Sequence, residues 1–248
     1  MKTSLKTLFT VAALTLSSKA VVITGSVSDF TGSADLLLDP STNVVAVDVN
    51  GAAGPFTVGG VSFQSDTGGP VSGGGATVTT GATHSIAQWA TATPPSYVGP
   101  DAANLASIMH SIRWSLAPAA VTVDVSGLNA GTIYNIQLLF SENGSTADRH
   151  WDIGVDGALV VDNVDSNGTA LNTGRVYSGN FDPGVDGILN IVMAQDPLPG
   201  DPNNTAPTGA DNNPILHAVI VHEVIPEPSG VALLGIGLTS FFFRRRRS

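Results

Sequence analysis

Apolar residues in this chain fall in short runs, cut apart by Gly, Ser, Thr, Asn, Asp and Pro, and a sustained 3.6-residue recurrence is scarce. Short alternating runs between turn residues predict the strands of an all-β sandwich or barrel. Val21–Val27 is a first strand or an edge segment. Val45, Val47 and Val49 alternate within Val44–Val49, and Val61–Gln64 and Thr77–Thr80 follow. Val121, Val123 and Val125 share one face of the next strand. Ile133–Phe140 carries the strongest pattern: Tyr134, Ile136, Leu138 and Phe140 alternate with Asn135 and Gln137. Leu139 interrupts the polar face and predicts that this face is partly covered. Trp151–Val155 and Ala158–Val164 flank Asp156-Gly157, a favoured two-residue hairpin turn. Gly187 turns the chain into Ile188–Met193, and Ile215–Val224 is the last strand. Helical spacing is found in Asn104–His110, where it relates Leu105, Ile108 and Met109. Gly68–Gly75 reads as a glycine-rich linker, because no lysine follows it as a phosphate-binding loop requires. Pro197–Pro214 is a long polar loop, and long loops are often functional. The expected architecture is one antiparallel β-sandwich over residues 44–224, with 21–43 as an N-terminal segment or edge strand.

The two ends follow a different pattern. Lys2 and Lys6, the apolar run Leu8–Leu16 and the small-x-small triplet Ser18-Lys19-Ala20 make residues 1–20 a signal peptide, a short helix removed on export through the Sec pathway. At the other end Pro226-Glu227-Pro228 precedes an apolar run, Gly230–Phe243, and then Arg244, Arg245, Arg246 and Arg247. The prolines keep the entry extended, and the arginines stay on the cytoplasmic side of a bilayer. The run of 14 residues makes a helix of roughly 21 Å, short against a hydrocarbon core of about 30 Å. Residues 225–248 thus resemble the PEP-CTERM sorting tail of Gram-negative bacteria, with a plain C-terminal anchor as the alternative. The resemblance implies recognition by an exosortase, a membrane peptidase that cuts near Pro-Glu-Pro. It also implies transient insertion of a short transmembrane helix in the inner membrane, and a destination at the cell surface or in the extracellular matrix.

Charge then narrows the partners. Between residues 21 and 225 stand three arginines, Arg113, Arg149 and Arg175, against nineteen acids, a formal charge of −16 with no lysine. Such a body repels nucleic acid and anionic headgroups. No cysteine is present, so stability rests on a core and not on disulfides.

Five segments of the body, in order, resemble a malectin-like carbohydrate-binding domain. They are Val49-Asn50-Gly51 with Phe63–Asp66, the strand Tyr134–Glu142, the hairpin Arg149–Gly157, the strand Asp186–Ile191 and the closing stretch Asn213–Val221. The resemblance implies a jelly-roll, galactose-binding-like sandwich whose loops bind sugar through aromatic rings and an aspartate. Trp114 and Trp89 fall near the family's aromatic positions, and Asp211 matches its loop aspartate. A ring would pack on the apolar face of a sugar and the carboxylate would accept its hydroxyls. Where the family places further aromatics after the glutamate, this chain has Asn143-Gly144-Ser145-Thr146.

A catalytic constellation is not visible. The chain lacks a His-Glu-x-x-His or Gly-x-Ser-x-Gly motif, and His217 and His222, five apart on one strand, face opposite sides. A glycosidase needs two carboxylates roughly 5–9 Å apart, whereas most of the acids here read as turn residues, with no obvious carboxylate pair across strands. Asp162-x-x-Asp165-x-Asn167-Gly168 is oxygen-rich; it reads as a solvated turn, with Ca²⁺ as the alternative, though it lacks the closing glutamate of an EF-hand loop. The expectation is a non-enzymatic surface protein without a cofactor or metal, whose partners are an exosortase and an extracellular polysaccharide. A structural or adhesive matrix protein without a sugar ligand is the alternative, and a glycan-active enzyme is the least favoured class.

Overall fold

The computed structural model describes residues 21–51, 54–89, 96–142, 149–166, 173–195, 198 and 212–225, and within them the alternating runs become strands. The first part of the chain supplies β1 (Val21–Phe30), β2 (Asn43–Val49), β3 (Phe56–Val58), β4 (Val61–Asp66), β5 (Val71–Gly73), β6 (Ala76–Gly81) and β7 (His84–Ile86). The α-helix among the described residues, α1 (Ala102–Ile108), leads into β8 (Ile112–Trp114), β9 (Val121–Ser126) and β10 (Tyr134–Phe140). The series closes with β11 (His150–Val155), β12 (Ala158–Asp165), β13 (Gly174–Asp182), β14 (Leu189–Ala194), β15 (Ile215–Leu216) and β16 (Ala218–Glu223).

Two sheets face each other. One has the order β1-β13-β10-β16-β2-β4-β3, and the other β12-β11-β14-β9-β6-β5. Val45, Ile136, Leu138, Phe140 and Val219 of the first meet Val78, Val123, Ile153 and Ile191 of the second in a common core. The pairing is antiparallel throughout the larger sheets except between β2 and β4, which run parallel with Val47 opposite Gln64. Asp156 and Gly157 both adopt positive φ, 49° and 78°, the twist a two-residue turn needs to join right-twisted strands.

A second layer covers the outer face of the seven-stranded sheet. Leu139, Ala46 and Ile220 pack there against Leu105, Ile108 and Met109 of the α1 region, with Phe30 and Tyr97 alongside. Asp101, at the start of α1, accepts hydrogen bonds from the Gly59 N–H at 2.9 Å and the Ser33 hydroxyl at 3.3 Å, which fixes the helix to its neighbours. β10 is consequently buried at every position. Its polar residues are absorbed locally: Gln137 receives the Leu37 N–H at 3.2 Å and donates to the Leu37 carbonyl at 2.9 Å.

Several expectations change. Gly68–Gly75 is not merely a linker, because β5 lies inside it, pairs with β6 and buries Val71. The helix begins and ends two residues earlier than its periodicity placed it. The last strand is not continuous: it breaks at His217, so that β15 joins a separate three-stranded sheet, β15-β8-β7, while β16 joins the main one. The signal segment 1–20, the sorting tail from Pro226, Asp211 and most of the Pro197–Pro214 loop lie outside the described residues. Among the described residues no helix is long and apolar enough to cross a membrane.

Candidate functional site

The small sheet β15-β8-β7, the end sheet, is separate from the two large sheets and adds Ile112 and Ile215 to their core. Trp114 is its centre, paired with His84 on β7 and Ile215 on β15. Alternation along β8 sends Ile112 into the core and Arg113 the other way. Arg113 forks onto Asp66, Nε and Nη2 each 3.1 Å from a carboxylate oxygen. Asp66 also receives the Thr80 hydroxyl and, at 2.7 Å, the Gly68 N–H. Burial pushes the Asp66 carboxyl up, but these bonds and the arginine charge outweigh it and hold the group low. Asp66 is thus a buried acid at the end of a strand, and its partner is an arginine, not a second carboxylate.

On the other side of the end sheet is a cavity of about 100 Å³ lined by Trp89, Trp114, Arg149, Asn213 and Ile215. The fold thus brings Trp89 and Trp114, from separate stretches of chain, around one space. Trp89 is anchored by its backbone N–H, which donates to the His110 carbonyl at 2.7 Å. The Arg149 guanidinium sits 5.5 Å from the Trp89 ring centre and pairs with Glu142 at 2.6 Å. His84 stacks on Trp114 with centroids 4.4 Å apart, so one face of that ring is already covered. Asn213 accepts the Ala117 N–H on Oδ1 at 3.0 Å. Neither indole N–H has a hydrogen-bond partner among the described residues. Arg149 and Asn213 are in the segments that carried the sequence resemblance, but nothing local in the sequence marks them as cavity walls.

A second cavity, about 310 Å³, lies beneath the C-terminal end of α1 and includes Asp48, Gly51, Gln88, Ser107, His110 and Ser111 in its lining. Asp48 is fully buried, and its Oδ1 accepts the Ser111 hydroxyl at 3.2 Å. Burial raises its carboxyl to about 7, opposed by the Ser111 bond and reinforced by the charge of Asp66. Gly51 packs directly against this carboxyl, where a Cβ would collide with it. Sequence reasoning missed Asp48 because the Val45, Val47, Val49 alternation assigns it to a wet face, and the second layer makes that face dry. His217, buried at the break in the last strand, donates from Nε2 to the Ser141 carbonyl at 3.0 Å, and burial lowers it to about 4.

Among the described residues no group of three His, Cys, Asp or Glu side chains could hold a metal ion. Asp162 and Asp165 of the oxygen-rich stretch lie on β12, and Asp165 faces Arg175 at 3.9 Å. Asn167 and Gly168 lie outside the described residues.

Residues 224–247 match the PEP-CTERM protein-sorting motif. The motif implies export to the cell surface or the extracellular space and processing by exosortase, a membrane peptidase. No curated protein matches the chain. Among solved structures, the plant receptor-like kinase ANX1 matches with a TM-score of 0.50 at 12% identity, over 81% of this chain and 54% of that one. A Bacteroides uniformis beta-glucuronidase 2, covalently bound to cyclophellitol-6-carboxylate aziridine, matches with a TM-score of 0.41 at 13% identity, over 73% of this chain and 18% of that one. At such identity the likeness to the kinase structure concerns fold alone.

Proposed function

We propose that the protein is an exported, exosortase-sorted surface or matrix protein whose malectin-like β-sandwich binds carbohydrate without catalysis. One observation carries the reading: Trp114 of the end sheet meets Trp89, Arg149 and Asn213 around a single cavity. Paired aromatics beside fixed polar groups are the usual composition of a small-molecule site. Asp211, immediately before Asn212-Asn213 in the chain, is the carboxylate that would accept sugar hydroxyls. Export through Sec, a cut near Pro226 and transient membrane insertion deliver the sandwich to extracellular polysaccharide. A second reading, a structural or adhesive matrix protein, is favoured by one feature: His84 and Arg149 each occupy a face of a tryptophan ring.

Calorimetric titration of the exported protein with glucose- and galactose-based oligosaccharides tests the proposal. Binding is expected at about 0.1–1 mM, or −4 to −5.5 kcal/mol. Trp114→Ala and Asp211→Ala should each weaken it about 10- to 150-fold, the worth of a charge-assisted hydrogen bond or an equivalent ring contact. Unchanged affinity in both variants would move the site elsewhere, and no binding by the wild type would favour the structural reading.

A further inference from the structure

We propose that the cavity beneath α1 is a second binding site, and that its ligand is a small primary ammonium whose N–H groups bond to Asp48. The proposal is independent of the carbohydrate reading, which concerns the cavity at the end sheet. Space comes first. At about 310 Å³ the cavity reaches the ~300 Å³ at which whole-ligand sites begin. Its lining runs from Ala87 and Gln88, which are exposed, to Asp48, Gly51 and Ser111, which are buried. A small molecule can enter past the exposed residues and shed its water against the buried ones.

The buried end is polar and incomplete. Asp48 Oδ1 accepts the Ser111 hydroxyl at 3.2 Å, but the equally buried Oδ2 has no hydrogen-bond partner among the described residues. A side chain at Gly51 would collide with Oδ2, so the glycine keeps room for the carboxyl. A buried acceptor left unmade is costly, and a ligand that donates to it removes that cost. The serines beside it have spent their protons, Ser111 on Asp48 and Ser107 on the Ala103 carbonyl at 2.9 Å. What they can still offer is oxygen lone pairs. A primary ammonium carries three N–H donors and no acceptor, together with the charge that matches an ionised carboxylate. A hydroxyl ligand brings one proton and no charge. Gln88, at the exposed end, has both a donor and an acceptor and suits either. Among the described residues no group of three His, Cys, Asp or Glu side chains could hold a metal ion, which favours an organic cation. The formal −16 of residues 21–225 draws cations toward the body. The charged and titratable groups around Asp48 are Asp66 on β4, held by Arg113, His110 after α1 and His217 at the break in the last strand.

The test titrates the exported protein with ethanolamine, with its neutral isostere ethylene glycol, and with tetramethylammonium, which has the charge but no N–H. The backbone amide resonances of Gly51 and Ser111 report binding at the cavity. Ethanolamine should shift both and bind about tenfold tighter than either of the other two. A proton on Asp48 competes with the cation, and burial raises that carboxyl to about 7. Affinity for ethanolamine should therefore rise about 50-fold from pH 5 to pH 7 and by no more than about twofold beyond. Asp48→Asn should lose both the preference and the pH dependence, which separates Asp48 from His110, the other titratable group of the lining. Equal binding of tetramethylammonium would reduce the effect to counter-ions of an acidic surface, and equal binding of ethylene glycol would make the occupant a neutral alcohol. Either overturns the ammonium assignment. Gly51 and Ser111 amides that ethanolamine leaves unmoved, or an Asp48→Asn variant that keeps the preference, overturn the site itself. Should that substitution unsettle the fold, the wild-type pH profile decides, and a flat one overturns the proposal.

Discussion

Asp48 shows how a single buried carboxyl shapes the stability of this protein. Its ordinary value is 3.8 and its folded value about 7. Between those values the folded state holds a proton that the unfolded chain has released. Its stabilising contribution is therefore complete below about pH 4 and lost as pH rises through 7. His217 has the opposite sign, being lowered from 6.5 to about 4, so its contribution grows from pH 4 to 6.5. The two slopes oppose each other over that window, and above it the Asp48 slope acts without this opposition. Asp48→Asn cannot lose a proton, so its stability relative to wild type should rise by roughly 2–3 kcal/mol between pH 5 and pH 8, at about 1.4 kcal/mol per pH unit. Urea unfolding of both proteins at the two pH values checks this, and an unchanged gap would mean that Asp48 is already ionised at pH 5. The Asp66–Arg113 pair makes a second claim at this scale. Arg113→Ala leaves a buried carboxylate without its cation and should cost about 3–5 kcal/mol, measured by the same unfolding midpoints. Asp66 stood out only through the family resemblance and Asp48 not at all, because alternation along a strand reports which face a residue occupies and not what covers that face.

β10 was legible and β8 was not, and the difference is length. Seven residues with a two-residue period identify Tyr134–Phe140 as a strand, and the misplaced Leu139 already signals the second layer. Asp156-Gly157 is equally plain, because the turn chemistry is local. β5 and β8 have three residues each, too few to show a period. The break of the last strand at His217 depends on two sheets competing for one stretch of chain, which no local pattern encodes. The double burial of β10 is directly testable. Leu138→Ala opens the inter-sheet core and Leu139→Ala the outer layer, and both residues are fully buried. Each should cost about 2–5 kcal/mol through transfer and cavity terms. A strand wet on one side would show that loss at Leu138 alone, so a loss below about 1 kcal/mol at Leu139 would refute the outer layer.

At the scale of the whole molecule, the C-terminal tail was the most legible part and the candidate site the least. The sorting motif is linear, so Pro226-Glu227-Pro228, the apolar run and the four arginines identify themselves and match residues 224–247. Intact mass of the protein extracted from the cell surface should correspond to a product near residues 21–226, and recovery of Arg244–Arg247 on the exported form would contradict exosortase processing. The candidate site is assembled from β8, the Trp89 segment, Arg149 and Asn213, which are far apart in the sequence and line one cavity. Likeness to a family pointed at the two tryptophans but not at the walls around them. Three tryptophans make the decisive measurement simple. Trp89 and Trp114 line the end cavity, whereas Trp151 is fully buried in the core against Phe140. Indole N–H resonances recorded during titration with oligosaccharides should shift for Trp89 and Trp114 and stay fixed for Trp151. Oligosaccharide binding that leaves both cavity indoles unmoved would place the ligand elsewhere and contradict the assignment of this site.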